Sequence, residues 1–387
     1  MYSLLLAVIY LAFVSLGLPD SLLGAAWPTI YAEMNVPISY MGIITMIISA
    51  GTIVSSLLTD RLVAKLGTRV ITSISIFLTA ISLLGFSLSC EFYQLCLWGI
   101  PYGLGAGAID ASLNNYVALH YNSKHMSWLH CFWGVGTIVS PYVMSFTLTR
   151  SGWQTGYRVI SCIQCAILVI VLLSLPLWKK NQQKEKEETK VKPIGLTSAV
   201  KIKGVLPVIV GFLAYCALES TATIWSSSYF EGVFGSSKDE AAALGSLVFI
   251  GITVGRFAAG FITEKLGDSR MIRIGAALAG VGILLAALPF KAVAICGFVI
   301  LGLGCAPIYP CIIHSTPIRF GKERSQSIIG IQMASAYLGS TLMPPLFGLI
   351  ANHVSIALMP IYISFFIILM LTMLIIADKQ TLKKQGL

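Results

Sequence analysis

Apolar residues run along this chain in stretches of about 20, each long enough to cross ~30 Å of hydrocarbon as a helix, with short polar breaks between them. Twelve spans fit: 4–30, 39–59, 70–89, 93–118, 126–148 and 157–178, then 205–229, 241–262, 271–290, 292–316, 325–350 and 355–377. The runs are continuously apolar, not alternating, which excludes a transmembrane β-barrel. The pattern predicts an all-α membrane protein with twelve transmembrane helices.

The longest polar break, KKNQQKEKEETKVK at 179–192, has mixed charge and no apolar periodicity, the mark of a solvated linker. It divides the chain into a six-helix bundle at 1–178, a linker at 179–204, and a second six-helix bundle with a short tail at 205–387. The halves are related. Gly51, Val54, Lys65, Leu66 and Gly67 recur at a constant offset of 200 as Gly251, Val254, Lys265, Leu266 and Gly267. Gly103-Leu104-Gly105 returns as Gly302-Leu303-Gly304, and Gly136 with Pro141 as Gly339 with Pro344. Two halves of the same topology form two pseudo-symmetric bundles, as in parallel-repeat transporters, whose solute site is expected near the bilayer midplane.

Composition agrees. Of 387 residues, 56% are hydrophobic and only 11% charged, too few charges to cover a water-facing surface. The net charge of +10 would suit nucleic acid, but its placement argues against such a partner. Lys and Arg gather in every second loop, a positive-inside bias that places both termini and the linker in the cytoplasm of a cell-membrane protein. Nine cysteines lie almost all in apolar segments and lack the polar-flanked grouping of a metal site. No G-x-x-x-x-G-K-[S/T] phosphate-binding loop occurs, which argues against a nucleotide-driven pump, and no cofactor is expected.

Within 98–116, WGIPYGLGAGAIDASLNNY, Gly99, Gly103 and Gly107 form one smooth helical stripe on which another helix can pack closely. Asp110 and Asn114 continue nearly the same face. Only three of the sixteen acids lie well inside the spans, Asp20, Asp110 and Glu219. An ionised acid there costs at least ~2.5–3.5 kcal/mol on insertion scales, so all three are candidate proton-coupling sites. Asp20 follows Pro19, which is expected to break the first span. Glu219 is either a solute contact or the structural partner of Arg256. Asn115, His130, Trp133, Tyr309, Gln332, Tyr337 and Trp27 are further candidates for lining a solute site, with aromatic faces meeting C–H surfaces and amides meeting hydroxyls. His130 is either a proton relay or a helix-bridging hydrogen bonder; Trp27 also suits an interfacial aromatic belt. His314, at the end of the tenth span, is a weaker candidate.

The segments Asp60-Arg61…Lys65-Leu66-Gly67-Thr68-Arg69 and Gly255-Arg256…Glu264-Lys265-Leu266-Gly267-Asp268 resemble the cytoplasmic signature of the major facilitator superfamily. That resemblance implies a secondary transporter and not an enzyme, with Asp60, Arg61, Lys65, Arg69, Arg256, Glu264 and Lys265 gating its conformations. Residues 103–114 further resemble the fourth helix of the fucose permease branch, the fucose/galactose/glucose:proton symporters. This implies a proton site at Asp110, a sugar contact at Asn114 and a proton or substrate site at Asp20. The expected function is proton-coupled uptake of a sugar-like solute by a monomer in the bilayer. The alternative is a proton-coupled antiporter exporting apolar compounds, whose cavity would carry fewer amides. Aspartates in a membrane also permit an acid protease, but neither flanking sequence has the motifs of such enzymes.

Overall fold

The structure, a computed structural model, describes residues 2–178 and 194–381; most of the expected linker, 179–193, lies outside them. It is built from helices. In chain order the main ones are α1 (Tyr2–Asp20), α2 (Leu22–Glu33), α3 (Met41–Leu66), α4 (Thr68–Leu88), α5 (Phe92–His120), α6 (Ser123–Leu148) and α7 (Trp153–Leu173). There follow α8 (Val205–Phe234), α9 (Leu247–Leu266), α10 (Asp268–Ala286), α11 (Lys291–Cys305), α12 (Ile308–His314), α13 (Thr316–Phe320), α14 (Lys322–His353) and α15 (Met359–Thr381).

Among the described residues, eleven helical spans are long and apolar enough to cross a membrane, with α1 and α2 counted as one and α11 to α13 as another. The twelfth is α5. It has 29 residues, ample length, but glycines, Asp110 and two asparagines dilute its hydropathy. It tolerates that polarity because 106–117 is buried throughout. A helix shielded by protein does not need a lipid-compatible surface.

The first span is broken where Pro19 predicts: α1 ends at Asp20, and α2 begins after Ser21. Proline supplies no N–H and crowds the preceding turn. The tenth span, expected to be continuous, is also broken. Pro307 stands at the start of α12 and divides the span in two by the same physics, and the helical run continues past its expected end into α13, which has Pro317 in its first turn. The expected signature loops are shorter than the sequence suggests. Asp60, Arg61 and Lys65 lie on the last turns of α3, and Glu264 and Lys265 on the last turn of α9. Only Gly67 and Gly267 separate these helices from the next, both at φ 79°, a backbone conformation that favours glycine.

Two compact units form, Met1–Tyr116 with Leu129–Pro193, and Val117–Trp128 with Ile194–Leu387. The end of α5 and the start of α6 therefore group with the second unit. Inside each unit, glycines set the closest helix contacts. A Cβ on Gly103 would overlap the Ile48 carbonyl oxygen, and one on Gly107 the Thr52 carbonyl oxygen, so α5 lies against α3 with almost no side chain between them. The second unit repeats this contact: a Cβ on Gly302 would overlap the Val248 carbonyl, and one on Gly251 would stand 2.5 Å from the Val299 carbonyl. Gly136 against Val14 in the first unit likewise returns as Gly339 against Leu213. The repeat seen in the sequence is thus a repeat of backbone-to-backbone packing. Outward positions carry large apolar side chains, among them Phe77, Leu173, Phe249, Phe257, Ile361 and Phe365, which suits a surface against hydrocarbon.

Candidate functional site

Two of the acid candidates of the first unit, Asp110 and Asp20, each centre a polar cluster, and the two clusters are neighbours. In the first, Asp110 and Asn114 are one turn apart on α5. Asn114 Nδ2 donates to Asp110 Oδ1 at 2.7 Å and to the Asp110 main-chain oxygen at 2.9 Å. That main-chain bond fixes which end of the amide faces α5, so Asn114 Oδ1 points to α6 and meets His130 Nε2 at 3.0 Å. A carbonyl oxygen only accepts, so His130 carries a proton on Nε2. All three side chains are at most 5% exposed. His130 therefore bridges helices through Asn114, and its ring is seated edge-on against Phe13.

The second cluster surrounds Asp20 at the break between α1 and α2. Tyr102 of α5 donates to Asp20 Oδ1 at 2.9 Å, and the Trp133 indole of α6 donates to Oδ2 at 2.9 Å. Each carboxylate oxygen thus has its own neutral donor. Unlike Asp110, Asp20 is exposed. Trp133 is one turn beyond His130 on α6, which makes the two clusters adjacent. Gly17 and Gly136 permit this, since both stand directly against the backbone of the opposing helix, α6 or α1. Asn115 is buried at 7% exposure next to Asn114.

The remaining candidates are placed differently. Trp27 is buried and spends its indole N–H on the Ile38 carbonyl at 2.8 Å, a contact that holds the end of the first span. In the second unit, Arg256 Nη2 pairs with Glu219 Oε1 at 3.0 Å. Of the two roles left open for Glu219, the geometry supplies the partnership with Arg256. That places Arg256 inside the unit and not among the helix-end charges with which its signature grouped it. Tyr215, one turn before Glu219, donates to the Cys305 carbonyl at 2.9 Å and packs against Tyr309. Tyr309 donates to Met333 Sδ at 3.3 Å. Gln332 is fully buried and accepts from Thr316 at 3.0 Å. Tyr337 is half-buried on α14.

The gating candidates other than Arg256 lie at or near helix ends. Lys65 and Lys265 are exposed, while Asp60 and Arg69 are half-buried. Glu264 accepts from Asn122 at 2.9 Å and pairs with Lys124 at 3.4 Å. Sequence reasoning missed Tyr102, Tyr215 and the polar turn Asn122-Ser123. Tyr102 carried a usable signal, as a polar aromatic within the glycine stripe that leads to Asp110.

A family model described as the Major Facilitator Superfamily matches residues 9–238 and 207–386. The uncharacterized transporter y4wD of Sinorhizobium fredii (strain NBRC 101917 / NGR234) is 26% identical, covering 86% of this chain and 87% of that protein. The glucose/mannose transporter GlcP of Bacillus subtilis (strain 168) is 22% identical, covering 90% and 88%. Among solved structures, the crystal structure of the transporter FucP in the outward conformation superposes with a TM-score of 0.76 at 12% identity, covering 95% of this chain and 98% of that one. With twelve spans, a repeated packing pattern and a family match over nearly its whole length, the chain belongs to the Major Facilitator Superfamily.

Proposed function

We propose that this chain is a proton-coupled secondary transporter that takes up a sugar-like, polyhydroxylated solute by alternating access. The observation that carries the reading is the Asp110–Asn114–His130 chain, an ionisable acid sealed in α5 and linked through one amide to an imidazole on α6. Asp110 is the proton-coupling residue. The exposed Asp20, its carboxylate held by Tyr102 and Trp133, is the hydroxyl-binding acid. A ring hydroxyl can donate to such a carboxylate while the indole face covers the sugar's C–H surface. Asn115, Tyr309, Gln332 and Tyr337 are further solute-facing candidates. Glu219, neutralised by Arg256, is assigned to holding α8 against α9 and not to carrying protons.

The relatives support the solute class. GlcP is named a glucose/mannose transporter, and a second superposed structure is described as the proton:xylose symporter XylE, with a TM-score of 0.75 at 14% identity. The protein is assigned to the cell membrane as a monomer, with its repeats at 1–178 and 205–387, its linker at 179–204 and both termini in the cytoplasm.

The test is uptake into proteoliposomes. A panel of radiolabelled neutral monosaccharides and lipophilic cations is offered with and without an inward proton gradient. The reading expects one sugar to accumulate only with the gradient. Gradient-driven expulsion of a lipophilic cation, with no sugar accumulated, would replace it with the antiporter.

A further inference from the structure

We propose that His314 is a second proton-binding site, distinct from Asp110, and that its proton latches the α5–α6 turn onto α9, α10 and α12. His314 ends α12 with its side chain only 12% exposed. Its Nδ1 stands 2.7 Å from Asp268 Oδ2, and its Nε2 stands 3.2 Å from the main-chain oxygen of Tyr121. A carboxylate and a carbonyl are both acceptors. A neutral imidazole carries one N–H and one lone pair, so it satisfies one of them and turns its lone pair on the other. Only the imidazolium donates to both. The geometry is therefore that of the protonated ring, and loss of the proton replaces an attractive contact with a repulsive one.

The rest of the turn depends on that ring. Ser123, the first residue of α6, donates to Asp268 Oδ1, so the oxygens of Asp268 hold His314 and Ser123 together. Asn122 and Lys124 reach Glu264 on the last turn of α9. Tyr121, His125, Trp128 and Phe261 form successive edge-on ring contacts. Trp128 sits where Gly260 has no side chain; a Cβ there would overlap the indole. The charged and titratable groups on the elements that meet here are Asp268, Arg270 and Arg273 on α10, Glu264, Lys265 and the Glu219-paired Arg256 on α9, His120 at the end of α5, and Tyr121, Lys124 and His125 on the turn. Cys311 lies one turn earlier on α12, and Arg319 follows on α13. His314 is the one among them whose ring joins α10 to the turn by two bonds at once. Its role in turnover rests on the alternating-access reading, with the latched turn representing one of the alternating states. Its proton does not.

Two measurements on the full-length protein test the proposal. In nanodiscs, with histidine ring nitrogens labelled, His314 is assigned by the signal that disappears in His314→Gln. Wild-type His314 should show two protonated nitrogens at about pH 6 and lose one before about pH 8, the range in which imidazoles titrate. A neutral ring at both values would overturn the proposal. In the second, hydrogen exchange at 119–128 is corrected for intrinsic pH dependence. It should rise about tenfold across that range in wild type, the change expected from losing one charge-assisted hydrogen bond. It should be flat with pH in His314→Gln and in Asp268→Asn. A wild-type pH response that persists in both variants would also overturn it. Asp110→Asn should leave this response intact, so failure of the transport reading and failure of the latch are separately visible.

Discussion

Asn114 donates its side-chain amide to both the side chain and the main chain of Asp110, which turns its oxygen toward His130. The amide is a rigid coupler between the acid of α5 and the imidazole of α6, and cannot turn over without setting its oxygen against the Asp110 carbonyl. Asn114→Ala removes one partner from each of two buried polar groups, a loss of about 1–3 kcal/mol. Thermal unfolding in detergent should shift downward, and proton-driven uptake should fall by at least about tenfold. Unchanged uptake would mean the amide has no part in coupling.

The Glu219–Arg256 pair gives a prediction about stability. Both side chains are largely buried, at 17% and 6% exposure, so removing one partner leaves the other charge without its counter-ion. Glu219→Ala should cost about 3–5 kcal/mol and lower the melting temperature sharply. Glu219→Gln with Arg256→Met, which removes both charges, should recover most of the loss. Equal melting temperatures for Glu219→Ala and wild type would show that the pair contributes nothing to the fold.

Backbone contact between α3 and α5 is tested by glycine replacement. Gly103→Val and Gly107→Val drive a branched side chain into the carbonyls of Ile48 and Thr52. Overpacking of this kind costs about 1–3 kcal/mol or more, and the folded yield on size-exclusion chromatography should fall. Gly42→Ala is the control, since nothing lies within 4 Å of a Cβ there. Normal yields of both valine variants would disprove the close packing.

Much of this fold is legible in the sequence. Long apolar runs fix the helices because a bilayer offers no other partner for backbone N–H and C=O groups. The glycine repeats were readable as close packing because a stripe of small residues has few other uses. Pro19 announces its break, while Pro307 sits inside a run that is continuous by hydropathy alone, and Pro317 lies just past the end of that run. The site was half legible. Rarity in the membrane marked Asp20, Asp110 and Glu219, but rarity does not tell a carboxylate held by neutral donors from one paired with arginine. That difference depends on Tyr102, Trp133 and Arg256, which stand 37 or more positions away in sequence. The Ser123–Asp268 and Tyr121–His314 contacts join residues 145 and 193 positions apart, so no local pattern carries them.

Asp110 gives the decisive prediction for transport. Uphill accumulation requires a group that binds a proton where protons are abundant and releases it where they are scarce. It must also be linked to the solute through the conformation that both prefer, because a ligand shifts an equilibrium only by its differential affinity for the two states. Asp110 is the titratable acid of the α5–α6 cluster, 4% exposed, and the amide beside it donates directly to its carboxyl group. Asp110→Asn keeps the size and hydrogen-bonding capacity of the protonated acid but cannot titrate. It should therefore bind solute and exchange it across proteoliposomes in counterflow at near the wild-type rate. Accumulation driven by a proton gradient should drop to the level of the imposed solute concentration. The check is radiolabelled uptake with and without the gradient, beside counterflow on the same vesicles. If Asp110→Asn still concentrates solute when the gradient is applied, the coupling proton sits elsewhere, and Asp20→Asn is the variant that should then abolish it.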